Sequence, residues 1–377
     1  VGVLVGVLGG CGAIPVGPSG EVIDGNRDQV STDVAGKVSG EPNGSFDQAI
    51  IAVFDGGVAK LQGTVSAVGD LDVFALGPLA SGSRFLLDAR AGGAGIGLDV
   101  SVAVFDAGYR LIYNNDDRDD GTLRTLDSYI DWIVRRDTLA SYLVVTHSAL
   151  ARSDAFTGVY EIDLRVTPGS SVPQPVGQAL LLNFDGGLVS IGGRRAMTLQ
   201  PFDAADISPV YRGDTETIKA AIRAVFEQNF ERFDVTILTS DDTLPDGVDV
   251  STVYFGGYDA SAFGVADSVD LYNVDFCDDA IVFTESFEPY YFSRIPSATE
   301  LGIAIGNVGS HEAGHLLGLN HVDDDAALMD DQSHADAFIE DQEFMQAPLS
   351  TDIMPIGYQD AVLLLNDIVG PFLQPDF

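Results

Sequence analysis

Three of the five histidines of this 377-residue chain fall in one eleven-residue stretch, HEAGHLLGLNH, at positions 311–321. Nothing else in the sequence restricts the fold so tightly. His311 and His315 are four apart, so a helix projects both imidazoles from one face, one turn apart, toward a single point. Gly318 reaches left-handed dihedrals at little cost. It predicts the end of the helix and a turn that brings His321 back to the same point. Three neutral imidazoles with a fourth position open are the catalytic rather than the structural form of a zinc site. No cysteine thiolate, the usual ligand of structural zinc, stands in the stretch. Glu312, between the first two histidines, points partly aside, near enough to hold a metal-bound water without being a ligand.

The residues before the stretch supply the helix it needs. Ser297-Ala-Thr-Glu300 reads as a capping box that starts an apolar helix running to about Leu317. Upstream, QALLLNF (178–184) reads as a strand. Asp214 caps a helix to about Phe233, with Ile218, Ile222, Val225, Phe226, Phe230 and Phe233 mainly on one face. Segments 234–240, 250–257 and 279–286 read as further strands. Residues 167–177, TPGSSVPQPVG, carry three prolines and read as a linker. Over 46–166, short apolar runs alternate with Gly/Asp turns: AIIAVFDGG, LDVFALG, RFLLDARA, DVSVAVFDAG, SYLVVTHS and GVYEIDLRV. That spacing predicts an all-β sandwich. A chain of this length suits two folded domains.

The net charge is −38 and only Lys37, Lys60 and Lys219 are lysines. Such a surface repels phosphate backbones and excludes nucleic acid as a partner, while it favours cations. The acidic run Asp116–Asp120 and the segment DSVDLYNVDFCDDA (267–280) are candidate structural Ca²⁺ sites, the alternative being solvated loops. Cys277 is expected to be unpaired and buried beside Phe276. His147 reads as a surface or edge residue of a sandwich strand, and His334 as a loop residue.

The pattern His311-Glu312-x-x-His315-x-x-Gly318-x-x-His321 resembles the zinc-binding signature of the metzincin metallopeptidases. Met329, eight residues after His321 in ALM, resembles the methionine turn of the matrixin branch. Met354, in DIMPIG, is a second candidate for that turn. Val322 and Asp331 depart from the branch patterns and leave the family within the clan open. The resemblance implies a multidomain chain: an all-β sandwich followed by an α+β zinc-peptidase domain over 178–377, with a twisted mixed sheet and an active-site helix. It implies a catalytic Zn²⁺ on His311, His315 and His321, Glu312 as general base, and Gly318 and Met329 as structural residues at the site. It also implies a peptide or protein substrate paired to an edge strand near Ala280–Ser286, with the segment Met329 to Met354 walling the pocket beyond the cut.

Residues 46–166 resemble the bacterial pre-peptidase C-terminal domain in GTVSAVGDLDVFAL (63–76), DVSVAVFDAGYRLIYNNDD (99–117), ASYLVVTHS (140–148) and GVYEIDLRV (158–166), which implies an accessory role. The opening VGVLVGVLGGCGAIP resembles the apolar core and cleavage box of a bacterial lipoprotein signal. It implies a signal remnant over 1–11, a flexible tether over 12–45, and membrane attachment through a lipid on Cys11. The protein is then exported, to the bacterial cell envelope or the extracellular space. The alternative function is a non-catalytic surface protein whose β-sandwich binds a partner and whose second domain is a scaffold.

Overall fold

The computed structural model describes residues 41–372, apart from 93–96, 120–123, 192–193, 245–246 and 332–333. The expectations for the signal segment, Cys11 and most of the tether lie outside the described residues. The described chain falls into two compact units that part between Pro173 and Gln174.

The first unit is all-β. One sheet has the strand order Ile50–Ile51, Asp72–Leu79, Thr138–His147, Val100–Phe105, Leu111–Asn115; the other has Val58–Val65, Gly158–Thr167, Arg84–Gly92, Tyr129–Ile133. Alternation buries one face of the second sheet: Tyr160, Ile162 and Leu164 on one strand, Phe85, Leu87 and Ala89 on its neighbour. Of AIIAVFDGG only Ile50 and Ile51 form a strand. Five strands were not foreseen: Val58–Val65, Leu111–Asn115, Arg118–Asp119, Arg124–Thr125 and Tyr129–Ile133. In Val58–Val65 and Tyr129–Ile133 the apolar positions are separated by Lys60, Gln62 and Asp131, Leu111–Asn115 offers only three apolar residues before Asn114, and the two-residue strands are too short to show a pattern. His147 ends a strand flanked on both sides, not an edge strand. It is half-buried, accepts from the Gly69 N–H at 3.2 Å and packs on Phe156.

The second unit is mixed α/β. Its main elements are β1 (Gln178–Asn183), α1 (Thr215–Asn229), β2 (Val235–Thr239), β3 (Val250–Phe255), β4 (Gly264–Ala266), β5 (Asp279–Val282), α2 (Ala298–Leu316) and α3 (Ala361–Ile368). The sheet order is β2-β1-β3-β5-β4. The first four strands are parallel, and β4 runs antiparallel to β5 at the edge. Segment 279–286 is therefore not the edge strand expected. It stops as a strand at Val282, turns into a short 3-10 helix at Thr284–Ser286, and is covered on its outer side by β4. Helix α1 ends at Asn229, short of Phe233, although Phe230 and Phe233 are both buried as their spacing requires.

Helix α2 starts and ends where its sequence places it. Ser297 accepts from the Glu300 N–H, and the Glu300 carboxylate accepts from the Ser297 N–H at 2.8 Å, so both halves of the capping box form. Its glycines let α1 approach closely. A Cβ on Gly302, Gly306 or Gly309 would fall 2.5 Å, 2.8 Å and 2.8 Å from Ala221, Val225 and Phe226 respectively. Phe226, Phe230, Phe255 and Phe287 are at most 1% exposed. Burial at that level stabilises by about 1.5–3 kcal/mol per side chain, which gives α2 a firm backing. Cys277 is exposed rather than buried, because Asp278 and not Cys277 takes the inward position before β5. Among the described residues no helix is long and apolar enough to cross a membrane.

Candidate metal centre

The three histidines of the stretch meet. Their ligand atoms all lie within 4.8 Å of one another, and among the described residues no other group of three or more His, Cys, Asp or Glu does so. His315 Nε2 is 3.1 Å from His311 Nε2 and 3.0 Å from His321 Nε2. Two come from one face of α2 and the third from the return loop. The turn between them is a Schellman motif: the Leu319 N–H donates to the Gly314 carbonyl at 2.9 Å and the Gly318 N–H to that of His315 at 2.9 Å. Gly318 stands at φ +88° to make it. The fully buried Gln359 clasps the loop, accepting from the Asn320 N–H at 2.7 Å and donating to the Asn320 carbonyl at 2.6 Å.

The rings are oriented by backbone carbonyls. His311 Nδ1 donates to Leu328 at 2.8 Å and His315 Nδ1 to Leu319 at 2.7 Å. A carbonyl can only accept, so Nδ1 carries the proton and each neutral ring presents a bare Nε2. Two bare nitrogens at 3.1 Å repel, and a cation between them removes that repulsion. Bonds of about 2.0–2.1 Å to a tetrahedral zinc put its ligand nitrogens roughly 3.3 Å apart, close to the observed spacing. Burial holds the rings neutral. It pushes His311 down to about 4 and His321 down to about 3, and sets His315 well below the usual imidazole range, with the other two histidines adding to the shift. Neutral imidazoles are the form a metal needs. The donor set therefore fits one divalent transition metal with room for a non-protein ligand.

Glu312 lies on the same turn of α2 and is completely buried. Burial sets its carboxyl well above the usual range, and the Ala266 N–H and the Arg194 guanidinium oppose that shift. Neither carboxylate oxygen accepts a hydrogen bond of good geometry. Arg194 is itself paired to Asp259 at 2.6 Å. Nothing in the sequence singles Arg194 out, since it belongs to a loop far from the stretch. Met329 reaches the histidine helix: its Sδ lies 2.5 Å from where a Cβ on Gly314 would stand. Met354 is also buried, and its link to the site is indirect. Its N–H donates to the Ser350 carbonyl, while the Ser350 N–H donates to that of His321. His334 is exposed.

The acidic segment 267–280 packs beside the end of α2, where the Asp270 N–H donates to the His315 carbonyl at 3.0 Å. Its carboxylates do not gather into a three-ligand cluster. In the run Asp116–Asp120, Asp120 lies outside the described residues. Asp278 is the buried carboxylate of the 267–280 segment. Oδ1 accepts from Ser251 at 2.5 Å and Oδ2 has no partner. Burial pushes its carboxyl up to about 8, with Asp270, Asp275 and Asp267 adding to it. A carboxyl raised above its unfolded value, about 3.9, contributes stability that is full below about pH 4. That contribution is lost as pH rises through about 8. Asp278→Asn should remove this falling limb and raise stability at pH 8, by at most on the order of 5 kcal/mol. Urea unfolding at pH 5 and pH 8 measures it, and equal slopes in both proteins would refute it.

No family model matches the chain, and no curated protein matches it. Several solved structures are weakly similar. Archaemetzincin from Methanopyrus kandleri is 15% identical over 46% of this chain and 91% of its own, with a TM-score of 0.27. The pre-peptidase C-terminal domain of a collagenase from Bacillus anthracis is 12% identical over 35% of this chain and all of its own, at 0.21. A periplasmic inhibitor of g-type lysozyme from Aeromonas hydrophila is 13% identical over 32% and 96%, at 0.23. At these values the likeness is distant and confined to fold, and neither activity nor partners transfer with it. What stands is an all-β unit followed by a mixed α/β unit that carries a buried three-histidine cluster able to bind a metal ion.

Proposed function

We propose that the chain is a zinc-dependent endopeptidase. The observation that carries this reading is the convergence of three neutral imidazoles, two with Nδ1 committed to a carbonyl, beside a carboxyl on the same helix turn. His311, His315 and His321 would hold the ion. When bound, zinc supplies Lewis acidity toward a carbonyl and acidifies water. Glu312 takes the proton of the attacking water and returns it to the departing amine. Its burial without a hydrogen bond of good geometry suits a group that must accept and release a proton rather than stay charged. The three residues of β4, which cover β5 at the sheet edge, are all buried, so neither strand is open for an extended peptide to add to. Cleavage of fluorescein-labelled casein, abolished by EDTA and restored by zinc, is the expected result. A zinc-loaded protein that cleaves neither casein nor a mixed peptide library would favour the scaffold alternative.

A further inference from the structure

We propose that Gly264, in the edge strand β4, is a positioning residue for Glu312: its missing side chain is the space in which that carboxylate lies. A Cβ built on Gly264 would stand 2.4 Å from Glu312 Oε1, 2.7 Å from Cγ and 2.8 Å from Cδ. The backbone itself does not require glycine here, because its φ is not in the left-handed region. The three nearest atoms that such a Cβ would meet all belong to Glu312. Gly302, Gly306 and Gly309 of α2 differ in kind, since the nearest atom a Cβ on each would meet is an apolar side chain of α1.

Neither backbone has room to retreat. β4 is held by pairing Gly264 with Val282, Val265 with Ile281 and Ala266 with Ala280, and the Phe263 carbonyl accepts from the Phe283 N–H at 2.8 Å. The loop that leads into it is tied by Asp259. That carboxylate accepts from the N–H groups of Ser261 at 2.8 Å and Ala262 at 3.2 Å and pairs with Arg194, while the Asp259 carbonyl accepts from Ser286 Oγ at 2.8 Å. On the other side, Glu312 is completely buried in mid-helix. A methyl on Gly264 therefore displaces the carboxylate, while the imidazoles, anchored on Leu319 and Leu328, keep their places.

The effect on turnover rests on the peptidase reading above; the effect on packing does not. Gly264→Ala should keep its zinc and its KM for labelled casein while kcat falls roughly 10²-fold, the scale of a 1 Å misplacement of a reacting group. It should also lower the urea midpoint in the wild-type background and leave it unchanged in the Glu312→Ala background, where Cγ, Cδ and Oε1 are gone. If Gly264→Ala alone does not fold, folding of the double variant is the same expected result. Equal loss of midpoint in both backgrounds, failure of both to fold, or wild-type kcat in Gly264→Ala would overturn the proposal. If the wild-type protein cleaves nothing, the peptidase reading falls, and the comparison of midpoints still decides the role of Gly264.

Discussion

Replacing His315 by alanine should strip the chain of its metal. This ring is the middle of the three, completely buried, with its Nε2 facing both partners and its Nδ1 on the Leu319 carbonyl. Two remaining imidazoles cannot hold a zinc ion as three do. The loss should exceed the roughly 10–100-fold that follows removal of an outer partner of a ligand. The variant also leaves the Leu319 carbonyl without its donor in a dry place, at a further cost of about 1–3 kcal/mol. Metal content by mass spectrometry on purified protein is the direct measurement. About one zinc per chain in the wild type and almost none in the variant is expected. Full zinc in His315→Ala would move the metal elsewhere and end the assignment of the site.

Glu312→Ala should separate binding from chemistry. The glutamate makes no hydrogen bond to the imidazoles, so zinc content should stay near the wild-type value while casein turnover falls on the order of 10²–10⁴-fold. Stability at neutral pH should not suffer. A carboxyl held well above its usual range by burial contributes stability only at low pH, and loses it as pH rises. Alanine removes a group that opposes folding at neutral pH. Unchanged turnover in a zinc-loaded Glu312→Ala would rule out Glu312 as the proton carrier. Loss of zinc would mean instead that it helps to hold the metal.

Most of α2 was legible from local chemistry. Ser297 and Glu300 start it, the i, i+4 histidines share one face, and Gly318 closes it through a left-handed turn. Each of these is a relation between residues a few positions apart, so the sequence alone determined a helix that presents two imidazoles and returns a third. The all-β character of the first unit was legible for the same reason, wherever apolar runs alternated with turn residues. It was not legible at Val58–Val65, where Lys60 and Gln62 interrupt the run.

Relations between distant residues belonged to the tertiary structure. The three residues of β4 are too few to show a period, and only sheet pairing places them at the edge in front of β5. Cys277 could not be assigned to the surface without knowing that Asp278 faces inward beside Ser251. The carbonyls of Leu319 and Leu328 that fix the rings have no side-chain signature. The contact that leaves no room for a methyl on Gly264 joins a strand and a helix that no local pattern connects. Sequence by itself determined which groups could bind a metal, because ligand type and helical spacing are local. Tertiary structure alone decided how those groups are oriented, buried and kept neutral, because those properties come from the residues packed around them.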